Sequence, residues 1–76
     1  MNVASLRAEL GLSQEEFAKA IGLTSKGQVS LLERGLQPAS VPVALAIERL
    51  SNGRISAGSI CPTVALIERA RSEGAA

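Results

Sequence analysis

The hexapeptide LSQEEF, Leu12 to Phe17, fixes a helix start more tightly than any other part of this chain. Ser13 and Glu16 stand three apart. At that spacing the serine oxygen accepts from the third backbone N–H of a helix, while the glutamate reaches back to the serine's own N–H. Leu12 and Phe17 flank the pair where two apolar side chains clasp the entering backbone. A helix therefore opens at Gln14, carries Phe17, Ala18 and Ile21 on one face, and stops at Gly22. So short an amphipathic helix is stable only when buried against neighbours of the same kind.

The flanking sequence supplies such neighbours. Asn2 is placed to cap a first helix bearing Val3, Leu6 and Leu10, with Gly11 as its stop. Beyond the turn, Ser25 and Gln28 repeat the capping-box spacing, Val29 and Leu32 carry the apolar stripe, and Gly35 closes a helix from Lys26 to Arg34. LQPAS is a loop ending on Ser40 as a cap. Pro42 is tolerated in a first turn, which has no donor to lose. The fourth helix runs from Val41 to Leu50 with Val43, Ala46, Ile47 and Leu50 inward, and Ser51-Asn52-Gly53 ends it. RISAGSICP reads as a short extended piece and one helical turn before Pro62. Thr63 is placed to cap a last helix from Val64 to Arg71, and residues 73–76 read as a disordered tail. The echo between VALAIERL (43–50) and VALIERA (64–70) is explained by shared amphipathic composition. These elements predict one all-α domain over residues 1–72.

Composition narrows what such a domain does. A chain of 76 residues buries only about 60–65 % of its unfolded surface, so its stability is thin. Its 46 % hydrophobic content comes mostly from Leu, Ala, Val and Ile, with Phe17 the sole aromatic, so recognition by stacking on rings is nearly ruled out. A net charge of +1 announces no nucleic-acid partner, and any such case must rest on where the cations sit. Cys61 is the only cysteine and histidine is absent, which removes an internal disulfide and the usual zinc-ligand sets. No cofactor or small-molecule ligand is expected. No apolar run approaches the roughly 20 residues that span a bilayer, and the basic-then-apolar plan of a signal peptide is not seen. The expectation is a cytoplasmic protein with no membrane partner.

Two short helices joined by a tight, glycine-containing turn form a helix-turn-helix, here over residues 14–34. The stretch SQEEFAKAIGLTSKGQVSLLERG resembles the DNA-binding unit of the lambda-repressor and Cro family. There a Gln opens the first helix, an Ala faces the turn, a Gly stands in it, and a β-branched residue anchors the second helix. Gln14, Ala18, Gly22 and Val29 fill those places, with Ser25 as cap of the recognition helix and Glu33-Arg34-Gly35 closing it. The downstream VPVALAIERLSNGRISAGSICP is similar to small Cro-like, YdaS-type phage proteins. The resemblance implies a five- or six-helix Cro-like fold and a regulator that binds double-stranded operator DNA. One departure is a turn longer by one residue, which the second capping box places around Leu23–Thr24, outside both helices.

Helical geometry selects contact residues independently of the family. With Val29 and Leu32 inward, Gly27, Ser30, Leu31 and Arg34 point outward, and Lys26 and Gln28 flank them. Arg34 and Lys26 donate to guanine or phosphate, Gln28 suits adenine, Ser30 bonds several base edges and Leu31 meets a thymine methyl. Gln14, in the first turn of its helix, is placed for a backbone phosphate. Each residue also has a plainer role. Gln28 closes its box on Ser25, Arg34 complements a helix C-terminus, Leu31 joins the core and Gln14 is solvated. Arg54, just beyond the Asn52-Gly53 turn, is within reach of a phosphate at the rim but reads better as an ordinary solvated arginine. Cys61 reads as a small buried residue.

The expectation is a transcriptional regulator of phage or mobile-element type, binding a palindromic operator as a homodimer. Val64, Leu66, Ile67 and Ala70, within segment 63–71, are the candidate dimer interface, and packing onto the first helix is the alternative. The rival function is a protein-binding helix-turn-helix, an antiactivator or toxin-like regulator whose partner is a second regulatory protein. The two differ in the outward face of the third helix, basic for a DNA reader and apolar or acidic otherwise. An enzyme is not expected, since no nucleophile–base pair or metal set stands behind one.

Overall fold

The computed structural model describes residues 1–74 as six helices: α1 (Val3–Leu10), α2 (Gln14–Ile21), α3 (Lys26–Glu33), α4 (Val41–Leu50), α5 (Ala57–Ile60) and α6 (Pro62–Gly74). No strand occurs among the described residues. The helix starts follow local hydrogen bonding. The Ser5 N–H donates to Asn2 Oδ1 at 2.8 Å and the Asn2 N–H to Ser5 Oγ at 3.0 Å, a capping box with serine in the usual place of glutamate. At α2 the Glu16 N–H donates to Ser13 Oγ at 3.1 Å and the Ser13 N–H to Glu16 Oε1 at 2.9 Å. The Ser13 backbone donor, aided by the Ser13 hydroxyl, holds the Glu16 carboxyl below the usual carboxylate range. Gly11 and Gly22 take left-handed φ values of 71° and 86°, which turn the chain out of α1 and α2.

The core is a junction of the first four helices. Leu6, Phe17, Val29 and Ile47, one from each, are fully buried, and Val3, Ala18, Ile21, Val43 and Ala44 surround them. Later segments close the other side with Ala39, Ile55, Ala57, Cys61 and Val64. The Ala39 N–H donates to the Ile60 carbonyl at 2.9 Å, tying the α3–α4 loop to α5. Ser51, also fully buried, receives the Ile55 N–H at 3.0 Å and donates to the Glu48 carbonyl at 3.0 Å, so a polar residue inside the core leaves nothing unpaired.

Several sequence expectations are corrected by packing. Leu10 is 41 % exposed because only Val3 and Leu6 reach the core from α1. On α4 it is Ala44, with Val43 and Ile47, that is buried, while Ala46 and Leu50 sit at the edge. The last helix starts at Pro62 rather than after a Thr63 cap, since proline fits a first helical position. It runs to Gly74, so residues 73 and 74 belong to α6. Residues 75 and 76 of the expected tail lie outside the described residues. Arg54 is not a lone solvated arginine, because it makes a two-pronged pair with Glu9 of α1, at 3.1 and 2.9 Å.

Candidate nucleic-acid interface

α2 and α3 pack directly on one another, joined by a four-residue turn, Gly22 to Ser25. The turn folds back because the Leu23 N–H reaches the Ala18 carbonyl at 2.8 Å, and Ala18 leaves room by being small and buried. Val29, with no exposed surface, pins α3 to the core. The opposite side of α3 faces solvent. Lys26, Gly27 and Arg34 are exposed, Ser30 and Leu31 half-buried. Ser25, extended and exposed, is the N-cap residue. The outward group expected from helical spacing is thus brought together on one surface. Leu31 lies partly against its neighbours rather than standing free.

Gln28 is engaged locally. Its side-chain oxygen accepts from the Thr24 N–H at 3.0 Å, the Thr24 hydroxyl at 3.1 Å and the Ser25 N–H at 3.3 Å. The plainer, capping role is thus filled by the oxygen, and the amide nitrogen makes none of these bonds. Gln28 also lines an open groove of about 320 Å³ with Leu23, Leu32, Gln37, Pro38 and Ser40.

Gln14 is half-buried, and its amide nitrogen donates to Glu33 Oε1 at 3.1 Å. Glu33 also receives the Arg7 guanidinium, Nε lying 3.0 and 3.2 Å from its two oxygens, and Arg7 Nη1 continues to the Leu12 carbonyl at 3.1 Å. The Glu33 side chain is only 7 % exposed. Its burial alone would raise the carboxyl pKa, but the hydrogen bonds from Arg7 and Gln14 and the Arg7 charge prevail and lower it. Sequence reasoning missed this triad. A signal was present, since Arg7 and Glu33 each follow a buried valine, Val3 and Val29, by four residues, so two opposite charges occupy inward positions.

Electrostatically, the triad turns the sole carboxylate of α3 inward. What remains on the outer face is Lys26 at one end and Arg34 just past the other, about 12 Å apart along the axis. No group of residues able to hold a metal ion occurs among those described, and no helix among them is long and apolar enough to cross a membrane.

A short helix pair on a helical core, with a small turn, a capped second helix and a cationic outer face, defines a helix-turn-helix domain. Residues 3–56 match the family model described as helix-turn-helix, well over half of the chain, and the chain belongs to that lambda-repressor and Cro-type family. Membership supports a DNA-binding regulator in general terms and is not membership of an enzyme family. Neither the curated proteins nor the solved structures compared with the chain include a significant match.

Of the proposed dimer residues, Val64 is 8 % exposed and belongs to the domain's own core, which removes it from any free face. Leu66 and Ile67 are 66 % and 46 % exposed, and Ala70 is exposed beside them. The contacts of α6 run chiefly to α5, not to α1.

Proposed function

We propose that the chain is a sequence-specific transcriptional regulator, a Cro-like repressor or dual repressor and activator of phage or mobile-element type. In this reading it works in the cytoplasm and binds palindromic operator DNA as a homodimer. The observation that carries the proposal is the charge on α3: its carboxylate is held inward by Arg7 and Gln14, and the outer face keeps Lys26 and Arg34 with no acid between them. A protein-binding face would be apolar or acidic there.

In the major groove Ser30 and Leu31 meet base edges, and Lys26 and Arg34 neutralise phosphates or donate to guanine. Ser25 and the exposed backbone at Gly27 lie at the N-terminal end of α3, the part that enters the groove first. Gln14 keeps one amide hydrogen beyond its bond to Glu33, at the positive end of α2, for a backbone phosphate. Dimerisation through Leu66, Ile67 and Ala70 supplies the second α3 that a palindrome requires, with half-sites about 34 Å apart.

The test is a gel-shift series on DNA upstream of the coding sequence, across salt concentrations. Lys26→Ala and Arg34→Ala are each expected to weaken binding and to reduce the slope of log K against log salt by about 0.9. Unchanged affinity in both variants would remove α3 as the reader.

A further inference from the structure

The hydrogen bonds at the start of α3 restrict what Gln28 is able to read. A free glutamine recognises adenine by accepting from N6 with its oxygen while donating to N7 with its nitrogen. Here the oxygen already receives three donors, the Thr24 N–H, the Thr24 hydroxyl and the Ser25 N–H. Two of these are backbone N–H groups, which meet only an acceptor, so the carboxamide has one permitted orientation and cannot flip. With two lone pairs shared among three donors, that oxygen has no capacity left for a base.

The nitrogen is in the opposite condition. Nε2 donates to no protein group, and no buried side-chain nitrogen or oxygen among the described residues lacks a partner. The NH2 group is therefore not sealed inside the protein: it belongs to a half-buried side chain that lines the open groove beside Leu32, one residue from Gly27.

We propose that Gln28 is a specificity-determining residue that reads guanine, presenting only donors to the major groove, and that Thr24 is the positioning residue that fixes this polarity. The assignment rests on α3 reading DNA. Guanine offers two neighbouring acceptors, O6 and N7, to such a group, as it does to a lysine ammonium. Adenine at the same place would set its N6 amino group against an NH2 group, leaving two donors facing each other. The adenine contact expected from the residue type alone is thereby reversed by the cap.

Selection of bound DNA from a random pool, run in parallel with the unaltered chain, Gln28→Ala and Gln28→Glu, tests this. The unaltered chain is expected to enrich a site with guanine at one position per half-site, and adenine there should weaken binding about tenfold. Gln28→Ala should lose the preference at that position alone. Gln28→Glu keeps an oxygen for the cap and turns an acceptor outward, so its preference there should pass to cytosine, whose N4 donates. This second variant preserves the helix cap if the alanine variant unfolds. Another base at the affected position, or uniform weakening with no change of preference, overturns the proposal while leaving DNA reading intact. Enrichment of no sequence by any of the three chains overturns the DNA-binding reading itself, and the guanine assignment with it.

Discussion

Gly27 is the residue whose presence the fold explains least. It lies in the first turn of α3 with no left-handed φ, and a Cβ added to it would meet only Ser25 Oγ, at 3.8 Å. That is ordinary contact, so nothing inside the molecule requires a glycine. Gly27→Leu should leave thermal stability unchanged or raise it by up to about 0.7 kcal/mol, since leucine is the better helix former. A melting curve of the purified variant checks this, and a clear fall in midpoint would show an internal constraint. Phe17 is the opposite case: fully buried, the only aromatic, in a core against which Leu12 at the entry to α2 also packs. Phe17→Ala should cost about 3–5 kcal/mol. In a domain whose total margin is of order 5–15 kcal/mol, a sharply lowered denaturation midpoint by circular dichroism is expected.

Between elements, the Arg7–Glu33–Gln14 triad links α1, α3 and the first residue of α2, and so sets how the two helices of the motif sit on the core. Its stability depends on pH with a definite sign. The Glu33 carboxyl is lowered on folding, so its contribution is present above the ordinary carboxylate pKa and lost as pH falls through the folded value. Glu33→Gln should lower stability near neutral pH by about 1–3 kcal/mol. It should also lose less than the unaltered chain when melted between about pH 6 and about pH 3; an equal loss in both would contradict the triad. The boundaries of α1 to α4 were legible because each start carries its own signal, an Asn or Ser cap or a proline, and each stop a glycine or the Asn52-Gly53 turn. Local chemistry decides those. The start of α6 was misread because Thr63 and Pro62 are both good first-turn residues. In the structure Pro62 opens α6, directly after buried Cys61. Arg7 with Glu33 and Arg54 with Glu9 join residues 26 and 45 apart, and only the packed fold brings them together. The outward face of α3 followed from periodicity. The polarity of Gln28 did not, because it depends on Thr24 in the turn.

At the scale of the whole molecule, one copy presents one α3, while a palindrome offers two half-sites about 34 Å apart. Lys26 on α3 and Arg34 just past its end are a slender electrostatic footing for a single copy. In the proposed dimer, pairing through α6 would compensate by adding a second reader without new contacts per copy. Leu66→Glu places a charge on the 66 % exposed centre of that face. Sedimentation should show a monomer at concentrations where the unaltered chain dimerises, with the same circular dichroism spectrum and weaker binding to a palindromic site. A variant still dimeric would move the interface elsewhere. Reading by this face is tested at Gly27, by comparing the affinity of Gly27→Leu and the unaltered chain for the same operator. If the outer face of α3 docks in the major groove, a leucine at the point of closest backbone approach abolishes specific binding by a chain that remains fully folded. Equal affinity in a folded variant would mean that DNA is not read by this face.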